Sequence, residues 1–147
     1  MVSVRRENLF IPILLLAIGL VWPFASVIAD DVKPLKIIAP DLVIDTVEQG
    51  EFLDDPPDPR HFKPSNVVGK HTGLFGWRMK INTTRKTVLV QEKAVKGSAN
   101  ALPFKAVPKF GYIFSAKDIV TGVSSGYYAS TIFVENVPVT TLTMVVK

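Results

Sequence analysis

The chain has 147 residues, 17 basic against 13 acidic side chains, a formal charge of +4 and no cysteine. Without thiols there is no disulfide scaffold, no thiolate metal centre and no lipid-bearing cysteine, so a folded domain must rest on its apolar core. The positive excess is small and its lysines stand singly between apolar residues, which excludes the dense basic stripe that nucleic acid requires.

In chain order, the first segment is a basic head with Arg5 and Arg6, an apolar run, and small residues Val27 and Ala29 ahead of an acidic pair. This is the layout of a secretory signal peptide, and residues 1–29 are expected to be removed after Ala29. Pro23 supports cleavage by interrupting helix ahead of the cut. The competing reading is an uncleaved membrane anchor, because Leu9 to Ala29 is long enough, at about 1.5 Å per residue, to cross roughly 30 Å of hydrocarbon. Residues 30–147 are then expected to form one domain. Loss of Arg5, Arg6 and Glu7 leaves 15 basic against 12 acidic residues, a charge of +3. The expected location is periplasmic or extracellular, with contact to the membrane only through an uncleaved N-terminal helix.

The mature part reads as strands. "LKIIAPDLVIDTVEQGEF" holds two apolar runs split by Pro40, which cannot donate to a sheet ladder and belongs at an edge or bend. "EFLDDPPDPRHFKPS", residues 51–65, gathers four acids, four prolines and His61. Its prolines occupy the positions where a calcium loop needs its turn, and two histidines without a thiolate fall short of a zinc set. It reads as a stiff solvated connection, and no metal or cofactor is expected. In "GLFGWRMKI", Phe75, Trp77, Met79 and Ile81 share one side of an extended segment, with Gly76, Arg78 and Lys80 on the other. Gly76 is expected to permit a bulge or let the Trp77 indole cross the backbone. "NTTRK" reads as a hairpin turn into the strand "KTVLVQEKAV".

"FGYIFSAKDIV" is another short strand. The closing pair is "GYYASTIFV" and "VPVTTLTMVVK", joined around Glu135, Asn136 and Val137. Tyr128, Ser130, Ile132 and Val134 alternate there with Tyr127, Ala129, Thr131 and Phe133. About seven short strands separated by turn residues predict an all-β fold, an antiparallel immunoglobulin-like β-sandwich, with a closed barrel as runner-up. Residues 54–73 and 97–108 are expected to be irregular.

No catalytic constellation emerges. Ser124 and Ser125 lack the strand–turn–helix elbow of hydrolases, and no spacing ties His61 or His71 to a nucleophile. The expected function is an exported, non-enzymatic binding or structural domain of the bacterial cell envelope, with an envelope protein or small ligand as partner. The alternative is a small-ligand or carbohydrate-binding sandwich in which Trp77, or Tyr127 and Tyr128 together, stack on a ligand. Phe62, Phe104, Phe110 and Tyr112 are the further aromatic candidates for a contact surface.

The succession "GLFGWRMKI", "FGYIFSAKDIV" and "YYASTIFVENVPVTTLTMVV" resembles an uncharacterised family of exported bacterial β-sandwich proteins known as a domain of unknown function. The likeness spans Leu42 to Lys147, with Met144 where that pattern has phenylalanine. It implies export and a sandwich fold, and supplies no catalytic residues.

Overall fold

The computed structural model describes residues 35–69, 72–96, 100–118 and 123–147; the expected signal segment lies outside them. Among the described residues there is no helix. Ten strands run in order: β1 (Lys36–Ala39), β2 (Leu42–Phe52), β3 (Phe62–Pro64), β4 (Val67–Val68), β5 (Leu74–Thr83), β6 (Val88–Lys96), β7 (Phe104–Ala106), β8 (Tyr112–Asp118), β9 (Gly126–Val134) and β10 (Val137–Val146). They form two sheets. The first has the order β1-β2-β5-β8, with β3 also paired to β2; the second runs β4-β10-β9-β6-β7. Among the described residues no ladder joins the two sheets, so the fold is an open sandwich and not the closed barrel that stood as the alternative.

Period-two patterning decides which side chains face inward. Trp77, Met79 and Ile81 of β5 are buried together with Ile44 of β2, Ile113 of β8, Val88 and Val90 of β6, and Ile132 and Val134 of β9. Each fully buried aliphatic side chain of this kind contributes roughly 1.5–3 kcal/mol of apolar transfer free energy. A second cluster, Val68, Phe75 and Val146, lies beneath Tyr128 and Met144. Within the described residues, no buried side-chain polar atom lacks a hydrogen-bond partner.

The β9–β10 hairpin turns on Glu135 and Asn136, both with positive φ, 49° and 64°. Two consecutive residues in that region make the type I′ geometry, whose twist matches that of the flanking strands. The "NTTRK" segment does not close a hairpin. It carries the chain from β5 in the first sheet to β6 in the second, a distinction invisible to alternation, because a strand reads alike whichever sheet it joins. Arg85 anchors this crossing: it donates to both carboxylate oxygens of Asp41 in the β1–β2 turn at 2.8 Å and lies 3.5 Å from Glu135 in the β9–β10 turn.

The segments expected to be irregular contain β3, β4 and β7, two or three residues each, which are too short to show a period. β4 pairs with the last strand in parallel, Val67 beside Val145 and Val68 beside Val146. The proline-rich loop is not simply solvated either. Pro59 is fully buried, and its carbonyl accepts a 2.6 Å hydrogen bond from Arg78. Gly76 sits in regular register opposite Ala116, without a bulge. Its role is close approach, since a Cβ there would run into the backbone carbonyl oxygen of Ser115 on β8.

Candidate functional site: a cleft between the sheets

Val88, Val90 and Glu92 share one face of β6. The first two enter the core, so the pleat sends the Glu92 carboxylate inward as well. It is accommodated there because Trp77, buried opposite on β5, donates its indole N–H to Glu92 Oε1 at 2.5 Å. Lys117 Nζ, near the end of β8, reaches Glu92 Oε2 at 3.2 Å. The acid, borne by the second sheet, is therefore held by two donors from the first. A buried indole N–H needs such an acceptor, and a carboxylate at this depth needs such donors.

Beside this bridge the sheets enclose a cleft of about 460 Å³. Phe75, Trp77, Leu142 and Met144 give it an apolar lining, while Gln49, Glu92, Ser115, Lys117, Ser124 and Ser130 supply polar groups. The Tyr128 hydroxyl donates to the Ser124 carbonyl at 2.6 Å, fixing the phenol at the wall. A cavity of this size, mostly apolar with a few oriented polar groups, has the make-up of a small-molecule site. A second hollow of about 390 Å³ opens at the neighbouring edge and shares Glu92, Ala101, Ser115 and Lys117 with the first.

The aromatic residues singled out from the sequence do not make one surface. Trp77 and Tyr128 line the cleft. Trp77 is only 4% exposed, so its ring is wall and core at once. Tyr127, one residue along the same strand, faces the opposite way and is half-exposed, with Lys96 Nζ 5.2 Å from its ring centre. Phe104 is half-buried, packs on the main core and lines the second hollow.

Phe62, Tyr112 and Phe110 belong to the far side of the first sheet. The Arg78 guanidinium stands 4.6 Å from the Phe62 ring and 5.1 Å from that of Tyr112. Phe62 also meets Phe52 edge-on at 5.0 Å. Phe110, with φ of 52°, is exposed beneath the Arg60 guanidinium at 3.6 Å.

Sequence reading missed Glu92 and Lys117. The signal for Glu92 was available: an acid in phase with buried valines, on the inner side of its strand.

The proline loop brings Asp54, Asp58 and His61 within 4.8 Å of one another, the residue types of a hard-cation site. Their electrostatics oppose that use. Arg60 hydrogen-bonds both oxygens of Asp58, at 3.0 and 2.7 Å, and holds its carboxyl well below the usual carboxylate range. Asp54 is engaged by His61 Nδ1 at 2.5 Å. A cation would have to displace the Arg60 guanidinium. His61 does not line the cleft, and His71 lies outside the described residues.

No family model matches the chain, and no curated protein matches it. Among solved structures, an immunoglobulin-like protein from Pseudomonas aeruginosa is similar at 15% identity and a TM-score of 0.48, over 76% of this chain and 100% of that one. A likeness at this level bears on neither activity nor ligand.

Proposed function

We propose that this chain is an exported, non-enzymatic binding domain of immunoglobulin-like topology whose cleft takes a small, largely apolar ligand. The observation that carries the reading is the cleft itself: an apolar wall of Phe75, Trp77, Leu142 and Met144 beside the Glu92 carboxylate, open to ligand at one flank of the sandwich. Support for the topology comes from strand order. In immunoglobulin lettering β2, β5 and β8 occupy A, B and E, while β10, β9, β6 and β7 occupy G, F, C and C′. The export reading rests on residues 1–29 and on the resemblance to exported sandwich proteins. Intact mass from soluble and membrane fractions tests it: a species starting at Asp30 is expected, and retention of Met1 in membranes would make the segment an anchor.

Trp77 provides the ligand test, because the other tryptophan, Trp22, precedes Ala29. Titration with phenethylamine, an aromatic amine sized for the cleft and without an indole of its own, is followed by the change in Trp77 emission and, independently, by calorimetry. The expected outcome is saturable binding by the amine, weaker binding by the matching carboxylate, phenylacetate, and loss of both in Ala94→Leu, which fills the cleft from a wall position on β6. Equal binding by Ala94→Leu and the parent would remove the cleft as the site.

A further inference from the structure

We propose that the outer face of the second sheet binds an acidic polysaccharide, with uronate carboxylates meeting Lys93, Lys96 and Lys105 and sugar rings stacking on Tyr127 and Phe133. This surface is distinct from the cleft. Glu92, Tyr128 and Ser130 line the cleft and Ile132 and Val134 the core, so the intervening residues of β9 and Lys93 of β6 face outward, and the register shift between Ala94 and Lys96 brings Lys96 to the same side. Contacts agree with that direction: Lys93 Nζ stands 4.4 Å from the Phe133 ring centre and Lys96 Nζ 5.2 Å from that of Tyr127. On β7, Phe104 packs on the core and Ala106 enters it, which turns Lys105 outward.

The charge pattern is one-sided. The strands of this sheet contain a single acid, Glu92, and it is drawn inward to Trp77 and Lys117. Among the described residues the three outward lysines form no ion pair with a carboxylate, so the face presents positive charge alone. Scattered in sequence, these lysines assemble on one side because Lys93 and Lys105 each stand one residue from an inward neighbour, and the register shift between Ala94 and Lys96 turns Lys96 to the same face. An anionic ligand would meet no local repulsion here.

Shape and chemistry favour a sugar polymer over a protein. Tyr127 and Phe133 stand six positions apart along β9, about 20 Å at roughly 3.3 Å per residue. A single sugar could not reach both rings, whereas a chain laid along the strand could. Between them lie Ala129, small and buried, and Thr131, whose hydroxyl meets that of Thr141 on β10 at 2.8 Å. That leaves a shallow trough with hydrogen-bonding groups for sugar hydroxyls, bounded by aromatic rings for their C–H faces. Ammonium groups lie at both ends, where carboxylates attached to stacked sugars would fall.

The test is electrophoresis of the intact protein through native gels containing polygalacturonate, its methyl ester, or poly-L-glutamate. We expect retardation by polygalacturonate, little or none by the ester, and at least a tenfold weaker effect for both Tyr127→Ala and the Lys93→Glu/Lys96→Glu double variant. Both variants change exposed side chains, and unchanged thermal melts will show that they fold. Absence of retardation by polygalacturonate would overturn the proposal. So would a Tyr127→Ala variant retarded like the parent, or poly-L-glutamate retarding the protein as strongly as the polysaccharide, which would assign the face to acidic polypeptides instead.

Discussion

The outer face of the first sheet carries a cation, Arg78, among aromatic rings, and the outer face of the second carries Lys93 and Lys96 beside rings of its own. On the first face Arg78 pairs with Glu48 at 2.6 Å, donates to Pro59 and is roofed by residues 53–61, so its side chain is only 15% exposed. On the second, the lysines are exposed, and among the described residues no loop covers them. The same pairing of cation and ring therefore serves two ends. Where a carboxylate and a backbone carbonyl complete the guanidinium, the cluster acts as a second small core that pins the proline loop. Where no acid completes the ammonium groups, the face is left able to take charge from outside.

The sharpest way to break the first face is Gly76→Val. The Cβ would strike the Ser115 carbonyl, which belongs to backbone and cannot rotate away. We expect destabilisation above about 4 kcal/mol, seen as loss of a cooperative thermal transition; a normal melt would mean that β5 and β8 are not so closely apposed. Arg78→Ala should come next, at about 2–4 kcal/mol in urea denaturation, because it strands Glu48 and the Pro59 carbonyl. It should also open residues 54–58 to proteolysis, an effect that simple loss of stability elsewhere would not localise.

A smaller effect tests the ion pair at the loop. Arg60 lowers the Asp58 carboxyl below its ordinary value of 3.8 by direct hydrogen bonding. A carboxyl whose folded pKa is depressed stabilises the native state above the unfolded value, and that contribution fades as pH falls from about 4 toward the folded value. Asp58→Asn should accordingly lose less melting temperature between pH 4 and pH 2 than the parent. Identical slopes would show that the pair is not formed in solution. Smallest of all, Lys93→Ala and Lys96→Ala should each change stability by no more than about 0.5 kcal/mol. A larger loss from either would mean that the open face has a structural role after all.

The inner faces were largely legible from the sequence. Phe75, Trp77, Met79 and Ile81 are all buried as their alternation required, and the turn at Glu135 and Asn136 lies where the closing hairpin was expected. Legibility failed where an assignment depended on a neighbour. Arg78 reads as a solvated residue until Glu48 is placed beside it across the β2–β5 ladder. Gly76 reads as a bulge or a passage for the Trp77 indole until Ser115 is known to approach. The candidate aromatics scattered for a related reason: adjacent Tyr127 and Tyr128 necessarily face opposite ways on a strand, so they could never share one ligand surface.

The parallel join of β4 to β10 has a consequence for the order of assembly. Val145 donates its N–H to the Asn66 carbonyl, and Lys147 donates to that of Val68, so residues 145–147 tie β4 to the second sheet. Every strand from β5 to β9 lies within the loop that this contact completes, and forming it early would entail the largest loss of chain entropy in the fold. Until those final residues are in place, β4 has no partner strand and the cluster of Val68, Phe75 and Val146 is missing a member. The join of β4 to β10 is thus expected to form late, and until it does β10 presents an unpaired edge to its neighbours.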